Sequence, residues 1–410
     1  MSPELPKPKL LFLGSAFPPG VAGLFPDAQP AGHAMQTQMV GALEKHFEIR
    51  AAGVFSFPVE GLELPPHPVP GVPLEVALLD RSPEVWHRWR SIVKLKQTYR
   101  QLRRQGWNPD AVLLVNMSPI YNAFVLWLKR QSPRPRLVLL LSDSAYLREQ
   151  PRWTKRFRRA FKPFVWAEKD MVPRFDACIA LSKGTEDFFT SRGIPWMWMP
   201  GGCLAERAIT TGPDKITGPI RFGYFGAFAG HAGLPDLIKV FTATDRPHRL
   251  RICGWGKAES AIGKLCAGDS RLEFLGVLPS PEDCLRFAQG CDVLVNPRPT
   301  GRGNENNFPS KIFEYALSAR AILTTRLSGV DTVLGREAFY LNEADFERSL
   351  GAMLDEVAMV PREELNRRGQ ALCAQVISHF NWARGAERMA AFVSGLAQPD
   401  SRRRNLIAAT

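Results

Sequence analysis

Cys291-Asp292-Val293-Leu294-Val295-Asn296-Pro297-Arg298, then a Gly/Asn-rich loop, then Phe308-Pro309-Ser310-Lys311-Ile312-Phe313-Glu314-Tyr315, is the stretch on which the reading of this chain turns. The apolar run Cys291 to Val295 ends in Asn-Pro, so it reads as a buried strand opening at its C-terminal end into a polar loop. A helix is expected next, with Pro309 at its first position and Ile312, Phe313 and Leu317 supplying the apolar face from Lys311 to Arg320. Its first amides, at Ser310 and Lys311, have no partner inside the helix. With the positive end of the dipole and the Lys311 ammonium they make a place for phosphate. Glu314 lies one turn on, beside Ser310, where a carboxylate can accept hydrogen bonds from two neighbouring hydroxyls, as on a ribose. Together these features imply a nucleoside diphosphate as ligand.

The same strand-loop-helix order recurs along the chain. Leu10 to Gly14 reads as a first strand, Gly14 to His33 as a Gly/Pro-rich loop, and about Ala34 to Lys45 as a helix. Apolar runs at 111–115, 137–141 and 177–181 alternate with helical patterns, and a second series is expected at 220–225, 249–253, 272–274, 293–295 and 321–324. Such alternation predicts an α/β fold of two doubly wound, Rossmann-like domains with parallel sheets. At 410 residues the chain suits two domains of roughly 150 to 200 residues each. The expected layout is 1–203 as a first domain, 204–218 as linker, 219–384 as a second domain, and 385–410 as a helix returning towards the first domain with a basic tail; the resemblance given below implies acceptor binding by the first and nucleotide-sugar binding by the second. Ligands of doubly wound sheets sit beyond the carboxyl ends of the strands, so the active site is expected between the two halves.

An apolar fraction of 45% and a charged fraction of 23% are those of an ordinary globular protein. Seven scattered cysteines, without Cys-x-x-Cys or matching histidines, disfavour a disulfide framework or a zinc site and suit a reducing compartment, so a cytoplasmic protein is expected. The N-terminal apolar run is too short for a signal segment and no stretch reaches a membrane-spanning length. The net charge of +13 is concentrated in Arg88 to Arg104 and Arg152 to Arg174, both interleaved with aromatic residues. In the second, Trp153, Phe157, Phe161 and Phe164 recur near helical spacing, which fits either an interfacial helix on anionic lipid or a core helix with a solvated basic face. No nucleic-acid motif accompanies the charge, which ranks RNA or DNA below both.

The segment Phe308 to Tyr315, continued by Ala316-Leu317-Ser318-Ala319-Arg320-Ala321-Ile322-Leu323-Thr324-Thr325, closely resembles the donor site of family 4 retaining glycosyltransferases of the GT-B fold. Asp176 to Ser182, Gly193-Ile194-Pro195 and Met199-Pro200-Gly201-Gly202 resemble the end of that family's N-terminal domain. Weaker similarities are the glycine turn after the first strand, Gly254-Trp255-Gly256, Phe274-Leu275-Gly276-Val277 and Phe380-Asn381-Trp382. The resemblance implies hexosyl-type transfer from a nucleoside-diphosphate sugar to a lipid-linked or saccharide acceptor in glycolipid or surface polysaccharide assembly, with retention, no cofactor and no metal. In keeping with this, no Asp-x-Asp motif lies in a suitable loop. The chain departs from the family in one respect: the loop after Phe225, which usually carries an arginine and a lysine for the diphosphate, has Ala227 and Ala232 at those positions. Lys311, Arg298 or Arg302 would then have to supply the charge. Gly226 is either a phosphate contact or an ordinary tight turn.

The remaining site residues follow from the same comparison. Ser310, Lys311 and Glu314 would hold the nucleotide, with Asn296 and Arg298 beside them and Val277 against the base. Asn306, Asn307 and the amides of Phe308 would hold the sugar. Asn306 stands where the family often has a glutamate, and an amide can bind hydroxyls but cannot act as a base. Asp143 is the candidate for orienting the acceptor hydroxyl, its alternative being a helix N-cap. Gly32 and His33 resemble the acceptor-side loop. Two rival readings are a non-catalytic GT-B protein binding a nucleotide or a partner, and a sugar-nucleotide epimerase of the same fold. The absence of a Gly-x-Gly-x-x-Gly pattern with a downstream acid counts against NAD.

Overall fold

The computed structural model describes residues 6–16, 30–55, 69, 71–79, 84–142, 168–209, 217–256, 258–301 and 304–396. The chain divides into two compact units, Met1–Gly201 with Trp382–Thr410, and Gly202–Asn381. The basic-aromatic segment up to residue 167, Asp143, Arg302 and the tail Ser401 to Arg404 lie outside the described residues.

The first unit holds a seven-stranded sheet in the order β3-β2-β1-β4-β5-β6-β7. Its strands are β1 (Lys9–Leu13), β2 (Glu48–Phe55), β3 (Leu74–Leu79), β4 (Ala111–Val115), β5 (Arg136–Leu141), β6 (Ala177–Ala180) and β7 (Trp196–Trp198). Every pairing between them is parallel. The central strands are buried along almost their whole length, as the unbroken runs Leu10 to Leu13, Ala111 to Val115 and Leu137 to Leu141 require of a sheet covered on both faces. Two strands the periodicity does not single out, β2 and β3, form one flank. β2 carries Glu48 and Arg50, and Arg50 pairs with Glu75 of β3 at 2.9 Å, so charge interrupts the apolar run on this side of the sheet. The helix after β1 starts at Pro30 and ends at Leu43, earlier at both ends than expected. Within this unit the helix Trp382–Gly395 packs on it, with Trp382 Nε1 donating to Gln38 Oε1 at 2.7 Å.

The second unit holds a six-stranded parallel sheet in the order β10-β9-β8-β11-β12-β13. Its strands are β8 (Arg221–Ala227), β9 (Arg249–Trp255), β10 (Leu272–Phe274), β11 (Val293–Asn296), β12 (Ala321–Thr324) and β13 (Phe339–Tyr340). Numbered within each unit, the sheets run 3-2-1-4-5-6-7 and 3-2-1-4-5-6, so chain direction across the sheet reverses between β1 and β4 and between β8 and β11. At such a reversal the connections leave to opposite sides and open a crevice beyond the strand ends. The three-residue β7 and two-residue β13 are not among the strands expected from sequence.

Candidate functional site

The crevice at the β8/β11 reversal is built by three local devices. The first is the helix Lys311–Leu317, which presses Ile312, Phe313, Tyr315 and Ala316 inward. It is shorter than the sequence suggests. It starts after Ser310 rather than at Pro309, and it ends at Leu317 because Ala319 turns left-handed with φ of 54°. Its first turn is tight: the Ile312 and Phe313 amides donate to the Pro309 and Ser310 carbonyls at 3.0 and 3.2 Å. The Ser310 and Lys311 amides precede that turn, and Ser310 is exposed.

The second device is Tyr315, whose hydroxyl is wedged between the strands, 3.2 Å from Phe225 N, 3.1 Å from Phe225 O and 3.4 Å from Val295 O. Its ring lies 4.6 Å from that of Phe225. A single buried phenol therefore ties the helix to the β8/β11 seam and sets where the preceding turn, with Lys311, must lie.

The third is Gly226 at the end of β8. Its φ of 142° is one that side chains rarely adopt, and a Cβ there would stand 2.5 Å from Lys311 Nζ and 2.9 Å from Lys311 Cε. The ammonium lies across this glycine because the glycine has no side chain. Lys311 Nζ donates to Tyr224 Oη at 2.9 Å and sits 4.2 Å from the centre of the Tyr224 ring, while Tyr224 Oη donates to the Ala227 carbonyl at 2.8 Å. The lysine is thus coupled through a phenol to the backbone of the loop that follows β8.

Around it the electrostatics are unusual. Burial lowers the Lys311 pKa to about 7, and the nearby Arg298 cation pushes the same way, opposed more weakly by Glu314 and Cys253. Glu314 shows an exposed surface, yet the protein packed around it raises its carboxyl, against the pull of Lys311 and Arg207. Burial also lifts the Tyr224 hydroxyl above its ordinary range, with Arg298 opposing. Two cations and one carboxylate thus share a poorly solvated spot, the arrangement that an incoming polyanion relieves.

The loops flanking the spot are held together by Asn304. Fully buried, it donates to the His231 carbonyl at 2.8 Å and the Pro299 carbonyl at 2.7 Å, joining the loop after β8 to the loop after β11. Gly233 makes the same approach possible from the other side: at φ of 74°, a Cβ on it would strike the Pro297 carbonyl at 1.7 Å. The side-chain carbonyls of Asn296 and Asn304 are buried and accept no hydrogen bond. Both residues are enclosed, so these acceptors lie within the wall of the crevice rather than on its open face.

Of the residues expected to bind the donor, Gly226, Arg298, Lys311 and Glu314 are thus electrostatic or steric neighbours, and Ser310 stands at the same helix start. Asn296 is 1% exposed and donates to Thr324 Oγ1 at 2.9 Å, so it sits behind the crevice wall. Phe308 is buried against Phe313, with ring centres 5.7 Å apart, and the half-buried Asn307 donates its amide to the Asn304 carbonyl at 3.0 Å. Asn306 is likewise half-buried. Val277 is 56% exposed just past β10, next to Gly276, whose carbonyl accepts from Gly254 N at 2.8 Å. Tyr224, Tyr315 and Asn304 are not singled out by sequence. The two phenols read as strand and helix core, and only the crossing of β8 with the helix brings Tyr224 to Lys311.

The first unit has its own reversal. There Gln36 accepts from Ser15 N at 2.7 Å and donates to Ser15 Oγ at 3.0 Å and to the Gly32 carbonyl at 3.3 Å. His33 Nδ1 lies 2.8 Å from the Ser15 carbonyl. Beyond β4, Asn116 exchanges hydrogen bonds with Ser142, donating to its Oγ at 2.6 Å and accepting from its amide at 3.0 Å. Gly32 and His33 therefore line the end of β1, and Asp143, the residue after Ser142, lies outside the described residues. Among the described residues no group of three or more His, Cys, Asp or Glu could hold a metal ion. No described helix is long and apolar enough to cross a membrane.

Comparison with known proteins places this geometry. Residues 23–196 match the family described as glycosyl transferase 4-like domain, and residues 219–357 match that described as glycosyl transferases group 1. No curated protein sequence matches. Among solved structures the chain is similar to the sucrose-phosphate synthase of Thermosynechococcus elongatus, with 14% identity over 98% of this chain and 100% of that one and a TM-score of 0.68. It is similar to Anabaena HepE in complex with UDP and glucose, with 14% identity, coverage of 94% and 99%, and a TM-score of 0.62. The lipopolysaccharide outer core galactosyltransferase WaaB gives 12% identity, coverage of 94% and 99%, and a TM-score of 0.64. At these identities the likeness establishes the fold.

Proposed function

Since the chain belongs to the glycosyltransferases of GT-B fold, we propose that it moves a hexose from a nucleoside-diphosphate sugar to a lipid-linked or saccharide acceptor in glycolipid or surface polysaccharide assembly, retaining the anomeric configuration and using no metal. One observation carries the donor side: an ammonium, with a guanidinium nearby, held in a desolvated spot at the sheet reversal above a glycine that a side chain would block. The structure of HepE with UDP and glucose makes a uridine nucleotide the first ligand to try. WaaB, as a galactosyltransferase of lipopolysaccharide, supports the surface-polymer context. Retention rests on the resemblance of Phe308 to Thr325 to the retaining family.

In such a transfer the bond from the anomeric carbon to the distal phosphate oxygen breaks, the acceptor oxygen bonds to that carbon while its proton passes to the departing phosphate, and negative charge grows on the diphosphate as the first bond opens. Lys311, Arg298 and the Ser310 and Lys311 amides would stabilise that charge in a setting where water screens little. Arg298 and Lys311 here replace the arginine and lysine that Ala227 and Ala232 do not provide, each charge-assisted contact being worth about 1.5 to 3 kcal/mol. Glu314 would hold the ribose hydroxyls, Asn306, Asn307 and the Phe308 amide the sugar, and Val277 the base. Gly32, His33 and Asp143 would serve the acceptor side. The site would work in the cytoplasm, on the inner face of a membrane that supplies the acceptor.

The test is thermal unfolding with a panel of nucleoside diphosphates and their sugars, on the parent chain and on Lys311→Ala and Glu314→Ala. The parent should gain stability with at least one nucleotide by mass action, and both variants should stay folded and lose most of that gain. A parent chain indifferent to every nucleotide would sink the donor reading. Nucleotide binding without donor turnover would instead support the non-catalytic alternative.

A further inference from the structure

The helix Glu84–Arg104 of the first unit presents two unlike sides. His87, Ser91, Leu95, Tyr99 and Leu102 are buried, and the last three belong to the core of the unit. On the opposite side Trp86 is 62% exposed and Trp89 is 59% exposed, one turn apart, and exposed Arg90, Arg100 and Arg104 continue the same stripe. From Val85 to Arg104 the helix has no Asp or Glu and carries Arg88, Arg90, Lys94, Lys96, Arg100, Arg103 and Arg104. Lys96 and Arg100 lie over the Trp127 ring at 5.9 and 5.4 Å, which extends the cation-aromatic surface onto the neighbouring helix Pro119–Leu128.

We propose that this face docks on an anionic lipid bilayer, with Trp86 and Trp89 seated among the headgroups and the basic side chains of the same helix paired with lipid phosphates. Two neighbouring indoles facing water are unfavourable for a free surface, whereas the bilayer boundary solvates the apolar ring and the polar N–H together. A helix buried on one side, cationic and tryptophan-bearing on the other, lies flat on such a boundary. The charge pattern selects lipid over a second copy of the chain, because a two-fold contact through this face would set its cations against one another. The inference deepens the proposed function by naming the surface that would bring the donor site to a membrane-held acceptor, and it rests on that reading only for the acceptor.

Flotation of the full chain with phosphatidylcholine vesicles, with and without phosphatidylglycerol, tests it at low and high salt. The parent should float with the anionic vesicles alone, shift its tryptophan emission to the blue, and be released by salt. Trp86→Ser/Trp89→Ser and Lys94→Glu/Arg104→Glu should each lower partitioning by roughly tenfold or more while keeping the parent's melting temperature and its nucleotide-dependent stabilisation. Failure of the parent to float, or variants that float as well as it does, would overturn the assignment. So would parent self-association relieved by the same substitutions, or binding to a single-stranded oligonucleotide in preference to vesicles. A chain that floats but binds no nucleotide overturns the donor reading alone, and one that binds nucleotide but stays off vesicles overturns this inference alone.

Discussion

The two sheet reversals share one topology and differ in chemistry. At β8/β11 the strand ends meet Lys311 and Arg298, a desolvated lysine with its pKa brought down to about 7, and two buried carbonyls without partners. At β1/β4 the described residues meeting there are neutral or weakly basic, and their polar atoms are matched: Gln36 satisfies Ser15 and Gly32, and Asn116 satisfies Ser142. Topology makes a crevice in both places, whereas the side chains decide what can lie in it. A cationic, desolvated crevice is poised for a polyanion, and a hydrogen-bonded neutral one suits hydroxyl groups or simply holds the loop.

The sharpest way to break this contrast is Gly226→Val. The substituent must take the space of Lys311 Nζ at a φ that valine resists, so the ammonium should be displaced. Diphosphate affinity measured by titration calorimetry should fall by about thirtyfold or more, comparable to losing a charge-assisted contact. Retained affinity would mean that Lys311 does not meet the phosphates.

A smaller effect should come from pH. Because the folded Lys311 value of about 7 lies below its ordinary 10.5, the unfolded chain holds a proton that the folded chain has released between those limits. Stability from this group therefore rises with pH across that window. A bound diphosphate draws the proton back, so affinity for a nucleoside-diphosphate sugar, whose phosphates do not titrate there, should drop about tenfold from pH 6 to pH 8. Lys311→Arg should flatten the profile. Equal slopes for the two proteins would assign the effect elsewhere.

The smallest effect on nucleotide binding is expected from the other reversal. Gln36→Ala removes the partner of the Ser15 amide and should destabilise the first unit by about 1 to 2 kcal/mol in chemical denaturation. Its nucleotide affinity should change less than about twofold, since Gln36 shares no hydrogen-bond partner with the residues of the β8/β11 crevice. A large loss would mean that the two reversals are not independent in function.

Legibility from sequence followed burial. Ala111–Val115 and Ala321–Thr324 are read to the residue, because a strand covered on both faces must be largely apolar and stands out as an unbroken run, and Leu272–Phe274 is read from its two apolar ends although Glu273 between them is exposed. β2 and β3 escape because Glu48, Arg50 and Glu75 interrupt their runs with cross-strand charge. The helix after Ser310 is read too long, since nothing in Ser318-Ala319-Arg320 announces the left-handed turn at Ala319. In the candidate site Ser310, Lys311 and Glu314 stand out because chemistry and helical spacing coincide in one segment. Tyr224, Tyr315 and Asn304 act across segments far apart in the chain, where no local pattern reaches.

Residue order alone is enough to read an alternation of strands and helices in two series, a basic and clustered charge, and one segment that combines an ammonium, a carboxylate and a helix start. These are properties of neighbours along the chain, set by burial period and residue type. It took the folded chain to show that Lys311 lies over Gly226 and against Tyr224, that Tyr315 ties the helix to the seam, and that Trp86 and Trp89 face outward. Hydrogen bonding, desolvation and steric exclusion act through space at a few ångströms, and which groups come that close is settled by packing rather than by order in the chain.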